Sequence, residues 1–251
     1  MDKKPSNLEK ITRILQILGT KPYLYSAAEI GHLTGINRTT VYRILTDLAA
    51  EHFVIQEKVS RKFTVGPMLY HIGSVYLNNY HYKHEVLHTL EKVAELTGES
   101  AGLAIRDGDR ILSLFEIEMR QPFRMNHPPG SLYPMNRGCY GKCLMAYHQE
   151  ETVKRLLRIQ PFEKLFPNTL TTVDEILDEY RLIRRQGYVI SDGEEYDAAA
   201  AGVGVPVKNL AGEVMACMAI AFIKGPDFDI KINSSLPILQ KYAEEITPFI
   251  P

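Results

Sequence analysis

Long apolar runs are missing from this 251-residue chain, in which no stretch approaches the eighteen apolar residues of a membrane span. The N-terminus, MDKKPSNLEK, has no apolar segment behind its charges, so a secretory leader is not expected. These two absences predict a soluble, cytoplasmic protein with no membrane partner. Cysteine is scarce as well. Cys139, Cys143 and Cys217 are odd in number and include no CxxC pair, which argues against a disulfide framework. Glycine-rich nucleotide loops of the G-x-x-x-x-G-K-[ST] or G-x-G-x-x-G type are also lacking. GCYGKC, residues 138 to 143, holds a Gly-Lys pair without the required spacing, and Lys142 is expected to be structural. No internal repeat or low-complexity tract occurs, and no cofactor is expected.

What is present is ordinary globular composition, 45% apolar and 24% charged, at a length that suggests two domains. The charge is unevenly spread. Residues 1 to 80 hold ten Lys/Arg against six Asp/Glu, a surplus of four positive charges, while the whole chain carries -1. A basic front and an acidic back fit a chain whose front end alone meets a polyanion.

The front end reads as a series of capped helices. Asn7 to Leu18 places Leu8, Ile11, Ile14, Leu15 and Leu18 at helical spacing. Ser26 with Glu29 three residues on is a capping box, followed by Ile30 and Leu33 on the apolar side and by Gly35 as a helix stop. Asn37 caps a third helix, and Ile36 with Val41 can form a hydrophobic staple there. The third helix, in GINRTTVYRILTDLAAEHFV, sets Val41, Ile44, Leu45 and Leu48 behind a polar front of Arg38, Thr39, Tyr42 and Arg43. A short helix, a glycine turn and a second helix within about twenty residues match helix-turn-helix spacing. Phe53 to Gln56 and Lys62 to Val65 then read as two short strands around a basic turn with Lys58 and Arg61, which completes a winged helix-turn-helix.

In such a motif the third helix enters the major groove of double-stranded DNA. Arg38 and Arg43 suit guanine; Thr39, Thr40 and Tyr42 suit phosphates or thymine methyls; Lys58, Arg61 and Lys62 suit the backbone or minor groove. The segment TTVYRIL, residues 39 to 45, and the whole of residues 7 to 80 resemble the N-terminal domain of the IclR family of bacterial transcriptional regulators.

The back end alternates strand hairpins with helices, which indicates an α+β domain with an antiparallel sheet. Residues 66 to 98 are helical up to Gly98; hairpins span 100 to 118 and 202 to 223; helices are expected at 140 to 149, 151 to 159, 172 to 186 and about 235 to 246. GSLYPMNRGCYGKCLMAY (130 to 147) and GYVISDGEEYDAAAAGVGVPV (187 to 207) resemble the IclR C-terminal domain, through Gly130, Pro134, Gly141, Lys142, Ala146, Gly187, Ser191 and Glu194.

The resemblance implies residues 1–80 as a winged DNA-binding domain with a linker helix. It implies residues 81–251 as a GAF-like effector-binding and oligomerisation domain, working as a homodimer or homotetramer on a pseudo-palindromic operator. In glyoxylate- and pyruvate-responsive members an Asp, a Cys and two Ser hold a small carboxylate. Carried across, these positions become Ser191, Gly202 or Ala201, Ala219 and Ala221, so most of that polar clamp is gone. Arg137, Cys139 and Tyr140 replace small residues before the Gly-Lys pair. Such a pocket suits a bulkier, partly aromatic organic acid, with Arg137 free to pair with its carboxylate.

Three further groups of residues could carry other chemistry. His81, His84 and His88 share one helical face but have no acidic or cysteine ligand assigned nearby, and no metal site is expected. Cys139 and Cys143 stand four apart, and buried thiols without a known histidine are expected to pack as small hydrophobes. Asp192, Glu194, Glu195 and Asp197 form an acidic cluster expected in a solvated loop beside the pocket. A hydrolase or transferase using Cys139 or that loop is the enzyme alternative. A helix-turn-helix protein whose second domain only oligomerises, with a filled core, is a third.

Overall fold

Ser6 starts the first helix, α1 (Asn7–Leu18): its hydroxyl accepts from Glu9 N at 3.1 Å while the Glu9 carboxylate accepts from Ser6 N. Ser26 and Glu29 repeat the arrangement at α2 (Ala27–Thr34), and Gly35, at φ 70°, ends it in the left-handed region. Asn37 Oδ1 accepts from Thr39 N at 2.9 Å to open α3 (Arg38–Ala50). Strands β1 (Val54–Gln56) and β2 (Phe63–Val65) pair antiparallel as the wing. Ile14, Leu18, Ile30, Ile36, Val41, Leu45, Val54 and Phe63 form the core of this part. Leu8 and Leu33, which helical spacing puts on the apolar stripes, stay 69% and 56% exposed because they stand at the ends of short helices, beyond that core. Helix α4 (Pro67–Asn78) follows and buries none of its residues; Tyr70, Ile72, Val75 and Tyr76 are exposed along it.

This computed structural model describes residues 5–78, 82–119, 129–159, 162–195 and 197–250. The chain packs as two units, Met1–Tyr80 and His81–Pro251.

The second unit is α+β. Helix α5 (Lys83–Thr97) leads into β3 (Ser100–Asp107), β4 (Arg110–Ile117) and β5 (Leu132–Tyr133); α6 (Cys139–Ala146), α7 (Glu150–Ile159) and α8 (Val173–Gln186) come next, then β6 (Val189–Asp192), β7 (Ala200–Lys208), β8 (Val214–Ile223) and α9 (Phe228–Glu245). The six strands form one antiparallel sheet in the order β5-β4-β3-β8-β7-β6. Helices α5 and α9 cover one face. Helix α6 covers the other, with α8 packed on its back.

Three elements differ from the sequence expectation. The edge strands β5 and β6, of two and four residues, are too short to carry an alternation pattern. Helix α9 begins seven residues before Ser235 and carries Pro237 inside it. A proline costs a helix one backbone bond, and burial of Ile232, Ser235, Leu239, Tyr242 and Ala243 offsets that loss.

Candidate functional site

On the N-terminal unit the front of α3 is open to solvent. Arg38, Thr39, Tyr42 and Arg43 are exposed and Thr40 is half-buried. The Tyr42 ring rests edge-on against Phe63, centroids 6.1 Å apart, which ties the helix front to the wing. Lys58 and Arg61 project from the wing turn and are exposed. Lys62 is different: its ammonium donates to Glu29 Oε1 at 3.1 Å. Glu29 also closes the α2 cap, and the Ser26 amide and hydroxyl together with Lys62 pull its carboxyl down to about 2. One side chain thus links wing and helix-turn-helix, and a phosphate must compete with Glu29 for Lys62.

On the C-terminal unit, strand register lays out the wall of a cavity. Ser191, Gly202, Ala221 and Ser100 lie side by side across β6, β7, β8 and β3. The next row along the same face is Val189, Gly204, Ala219, Gly102 and Glu116. Small residues in both rows let α6 approach closely. Gly202 stands against Cys139, where a methyl group would come within 3.1 Å of Sγ, and a methyl at Gly102 would overlap the Tyr140 hydroxyl.

Between α6 and this wall is a cavity of about 530 Å³ of unfilled space, part of it open to solvent. Cys139, Tyr140, Ser191, Gly202, Ala219 and Ala221 all line it, as does Ala201, the other candidate for the Gly202 position. Arg137 does not line it. It stands partly exposed before α6, where its charge acts on Glu195. Tyr133, Glu195, Ala200 and Ile220 complete the lining and were not anticipated. Tyr133 packs edge-on to Tyr140 at 4.9 Å, so two aromatic rings form one side.

The electrostatics centre on Lys142, which is 2% exposed. Its ammonium donates to Glu194 Oε1 at 2.6 Å, Glu179 Oε1 at 2.9 Å and Ile190 O at 2.7 Å, spending all three protons. Burial alone would lower its pKa, but Glu194 and Glu179 outweigh it, and the ammonium is held above its ordinary range. Glu194 further accepts from Gly138 N at 3.0 Å. Lys142 is structural, as its sequence context suggested.

The acidic stretch 192 to 197 is not a uniformly solvated loop, since Glu194 is buried and Glu195 half-buried. Asp192 pairs with Lys224 at 2.7 Å, and Asp197 accepts from Ala199 N at 2.7 Å. Glu194 and Glu195 turn inward, since Lys142 draws the first under α6 and the tight turn carries the second with it. Gly138, at φ 71°, makes room: a methyl group there would collide with the Glu195 carboxyl. Glu195 Oε1 is buried without a hydrogen-bond partner, and so is Tyr140 Oη.

Burial is the main cause that pushes Glu195 up to about 7, Glu194 adds to it, and Arg137 and Lys142 counteract. Glu116, at the end of the second row, also rises to about 7, through burial and the nearby Glu118. Burial raises the Cys139 thiol and the Tyr133 and Tyr140 hydroxyls above their ordinary values, so all three keep their protons at neutral pH. A protonated thiol with no histidine lining its cavity among the described residues is not an activated nucleophile.

His84 and His88 stack at 6.4 Å, while His81 lies outside the described residues. Among the described residues no group of three His, Cys, Asp or Glu side chains could hold a metal, and no helix is long and apolar enough to cross a membrane.

Residues 7–58 match the family model of the IclR helix-turn-helix domain, and residues 74–247 match that of the bacterial transcriptional regulator IclR C-terminal domain. The chain belongs to the IclR family. The regulator KdgR of Dickeya chrysanthemi is 29% identical over 225 residues, 88% of this chain and 73% of that protein. An IclR-type regulator from Alicyclobacillus acidocaldarius superposes with a TM-score of 0.81 at 25% identity, covering 98% of this chain and 99% of its own. An IclR homologue from Microbacterium hydrocarbonoxydans, solved with 4-hydroxybenzoate, shares the fold at TM-score 0.74 and 20% identity, over 97% of this chain and 98% of that one. Like its IclR relatives, the chain is a non-enzymatic, DNA-binding transcriptional regulator with a C-terminal effector domain.

Proposed function

We propose that this IclR regulator works in the cytoplasm as a homo-oligomer on a pseudo-palindromic operator, with residues 1–80 on DNA and residues 81–251 sensing a small organic acid. The observation that carries the reading is the cavity itself. Its aromatic side and its wall of alanine and glycine suit a flat, partly apolar body. The 4-hydroxybenzoate held by the Microbacterium homologue is a ligand of that kind.

Arg38, Thr39, Thr40, Tyr42 and Arg43 are assigned to base edges and flanking phosphates, and Lys58, Arg61 and Lys62 to the backbone or minor groove. One reading helix cannot select a site in a genome, so a second protomer supplies the other half-site. The exposed apolar side chains of α4 support such an assembly. Effector binding then shifts the population between DNA-compatible and DNA-incompatible arrangements, a coupling of typically about 1–3 kcal/mol.

The test is binding of the full chain to its own upstream DNA at several salt concentrations, with and without aromatic acids. Selective, salt-sensitive binding that an acid shifts is the expected result. Changing Arg38→Ala with Arg43→Ala should remove about 1–3 kcal/mol per side chain and the selectivity with it. Unchanged operator affinity in that double variant would sink the assignment of these residues to base readout.

A further inference from the structure

Two polar atoms of the cavity residues have no hydrogen-bond partner among the described residues. Glu195 Oε1 and Tyr140 Oη are both buried without a partner, and their residues, from the turn after β6 and from α6, line one cavity. Buried polar groups are almost always paired, because an unpaired one costs its full desolvation. These are polar atoms of lining residues that still lack a bond among the described residues, so a ligand in this cavity has them to complete.

The surroundings decide which ligand atom fits. No lysine, arginine or histidine lines the cavity among the described residues. Lys142 is spent on Glu194, Glu179 and Ile190 O. The charged and titratable groups that act on Glu195 are Arg137 and Lys142, which favour its ionised form, and Glu194, which opposes it. Tyr133 and Cys139, on β5 and α6, also sense it. Both keep their protons, and Tyr140 can act only as a neutral donor or acceptor. A ligand carboxylate brought beside Glu195 therefore meets like charge, and two carboxylates in contact retain one proton between them.

We propose that Glu195 holds the effector's carboxylate by donating its own proton to it, so that a monocarboxylic acid enters the cavity together with one proton from solvent. The inference rests on the reading of this cavity as the effector site and names the group that recognises the acid. Glu195 Oε1–H donates to one carboxylate oxygen, and Tyr140 Oη–H, over Gly102 in the second row of the wall, is a further donor. The body of the acid lies against Ala219, Ala221 and Ile220. A dicarboxylate is disfavoured, since one shared proton leaves its second charge unmatched. Glu195 in the empty protein is already poised near half-protonation at about pH 7.

The experiment is titration calorimetry of the full chain with benzoate, phenylacetate and 3-phenylpropionate at pH 6, 8 and 9, in buffers of different ionisation enthalpy. The acid that binds should weaken about tenfold from pH 6 to pH 8 and about tenfold again to pH 9, with close to one proton taken up above pH 8. Glu195→Gln, which imitates the protonated carboxyl, should bind that acid with no pH dependence and about tenfold more tightly than the native chain at pH 8. Tyr140→Phe should weaken binding at every pH and keep the slope. Circular dichroism establishes that each variant is folded. A pH-independent affinity in the native chain, or a slope that survives in Glu195→Gln, overturns the proposal. If none of the three acids binds either protein even at pH 6, the acid-effector reading itself falls.

Discussion

The two candidate surfaces handle charge in opposite ways. On α3 and the wing, Arg38, Arg43, Lys58 and Arg61 remain in water, and only Lys62 is tied down, by a carboxylate that is itself a helix cap. Around the cavity the ionisable groups Lys142, Glu194 and Glu195 are drawn inside, where two are fully matched and one is not. Charge left in water costs little and is available to a polyanion. Buried charge is expensive unless paired, so it is either scaffold or site. The adjacent residues Glu194 and Glu195 show both outcomes: one holds α6 in place, and the other is left for a ligand.

The comparison can be broken most severely at Lys142. Lys142→Met should leave Glu194 buried and unpaired and cost about 3–5 kcal/mol, read as a lowered thermal midpoint of the C-terminal unit, with partial recovery on adding Glu194→Gln. If Lys142→Met melts like the native chain, the ammonium is not the scaffold described. Gly138→Ala is expected to cost about 1–3 kcal/mol, because a β-carbon there is both in the left-handed region and in the space of the Glu195 carboxyl. It should also weaken effector binding more than its stability loss explains.

A smaller effect is the pH dependence of the empty protein. Glu195 holds its proton more tightly folded than unfolded, so its contribution to stability is complete below the unfolded value of 4.5 and is lost as pH rises through about 7. Thermal midpoints of the native chain should therefore fall by a few degrees between pH 5 and pH 8, and Glu195→Gln should flatten the decline. The smallest effect lies on the exposed side. Lys58→Ala and Arg61→Ala should each reduce the salt slope of operator binding by about 1, and Lys62→Ala by less, because Lys62 must first leave Glu29. Equal losses at all three positions would show that the Glu29 pair offers no competition.

How far these features were legible in sequence follows from the same contrast. The capping box at Ser26, the Asn37 cap and Gly35 write their local geometry into a few neighbouring residues, and α2 and α3 follow from them, while α1 follows from the spacing of its apolar residues and its Ser6 cap is visible in the structure. The cavity wall depends on register between strands far apart in the chain. Ser191, Gly202, Ala219 and Ala221 were found through family resemblance, and the pairing of Ser191 with Gly202 and of Gly202 with Ala221 is visible only in three dimensions. Strands β5 and β6 are too short for an alternation pattern to register. Glu195 was hidden because two adjacent glutamates look alike until Lys142 selects one. A signal was available, since a single buried lysine beside that pair leaves one carboxyl over. Arg137 stands outside the lining yet acts on it through Glu195, a relation that its place in sequence does not distinguish from direct lining.

Helix α4 has a consequence of its own. Twelve residues that bury none of their side chains make a helix close to the length at which isolated helices are marginal in water. Whatever surface comes to cover Tyr70, Ile72, Val75 and Tyr76 therefore also completes the folding of the segment. The stiffness of this segment would then vary with whether that surface is present: frayed while uncovered, a rod once covered.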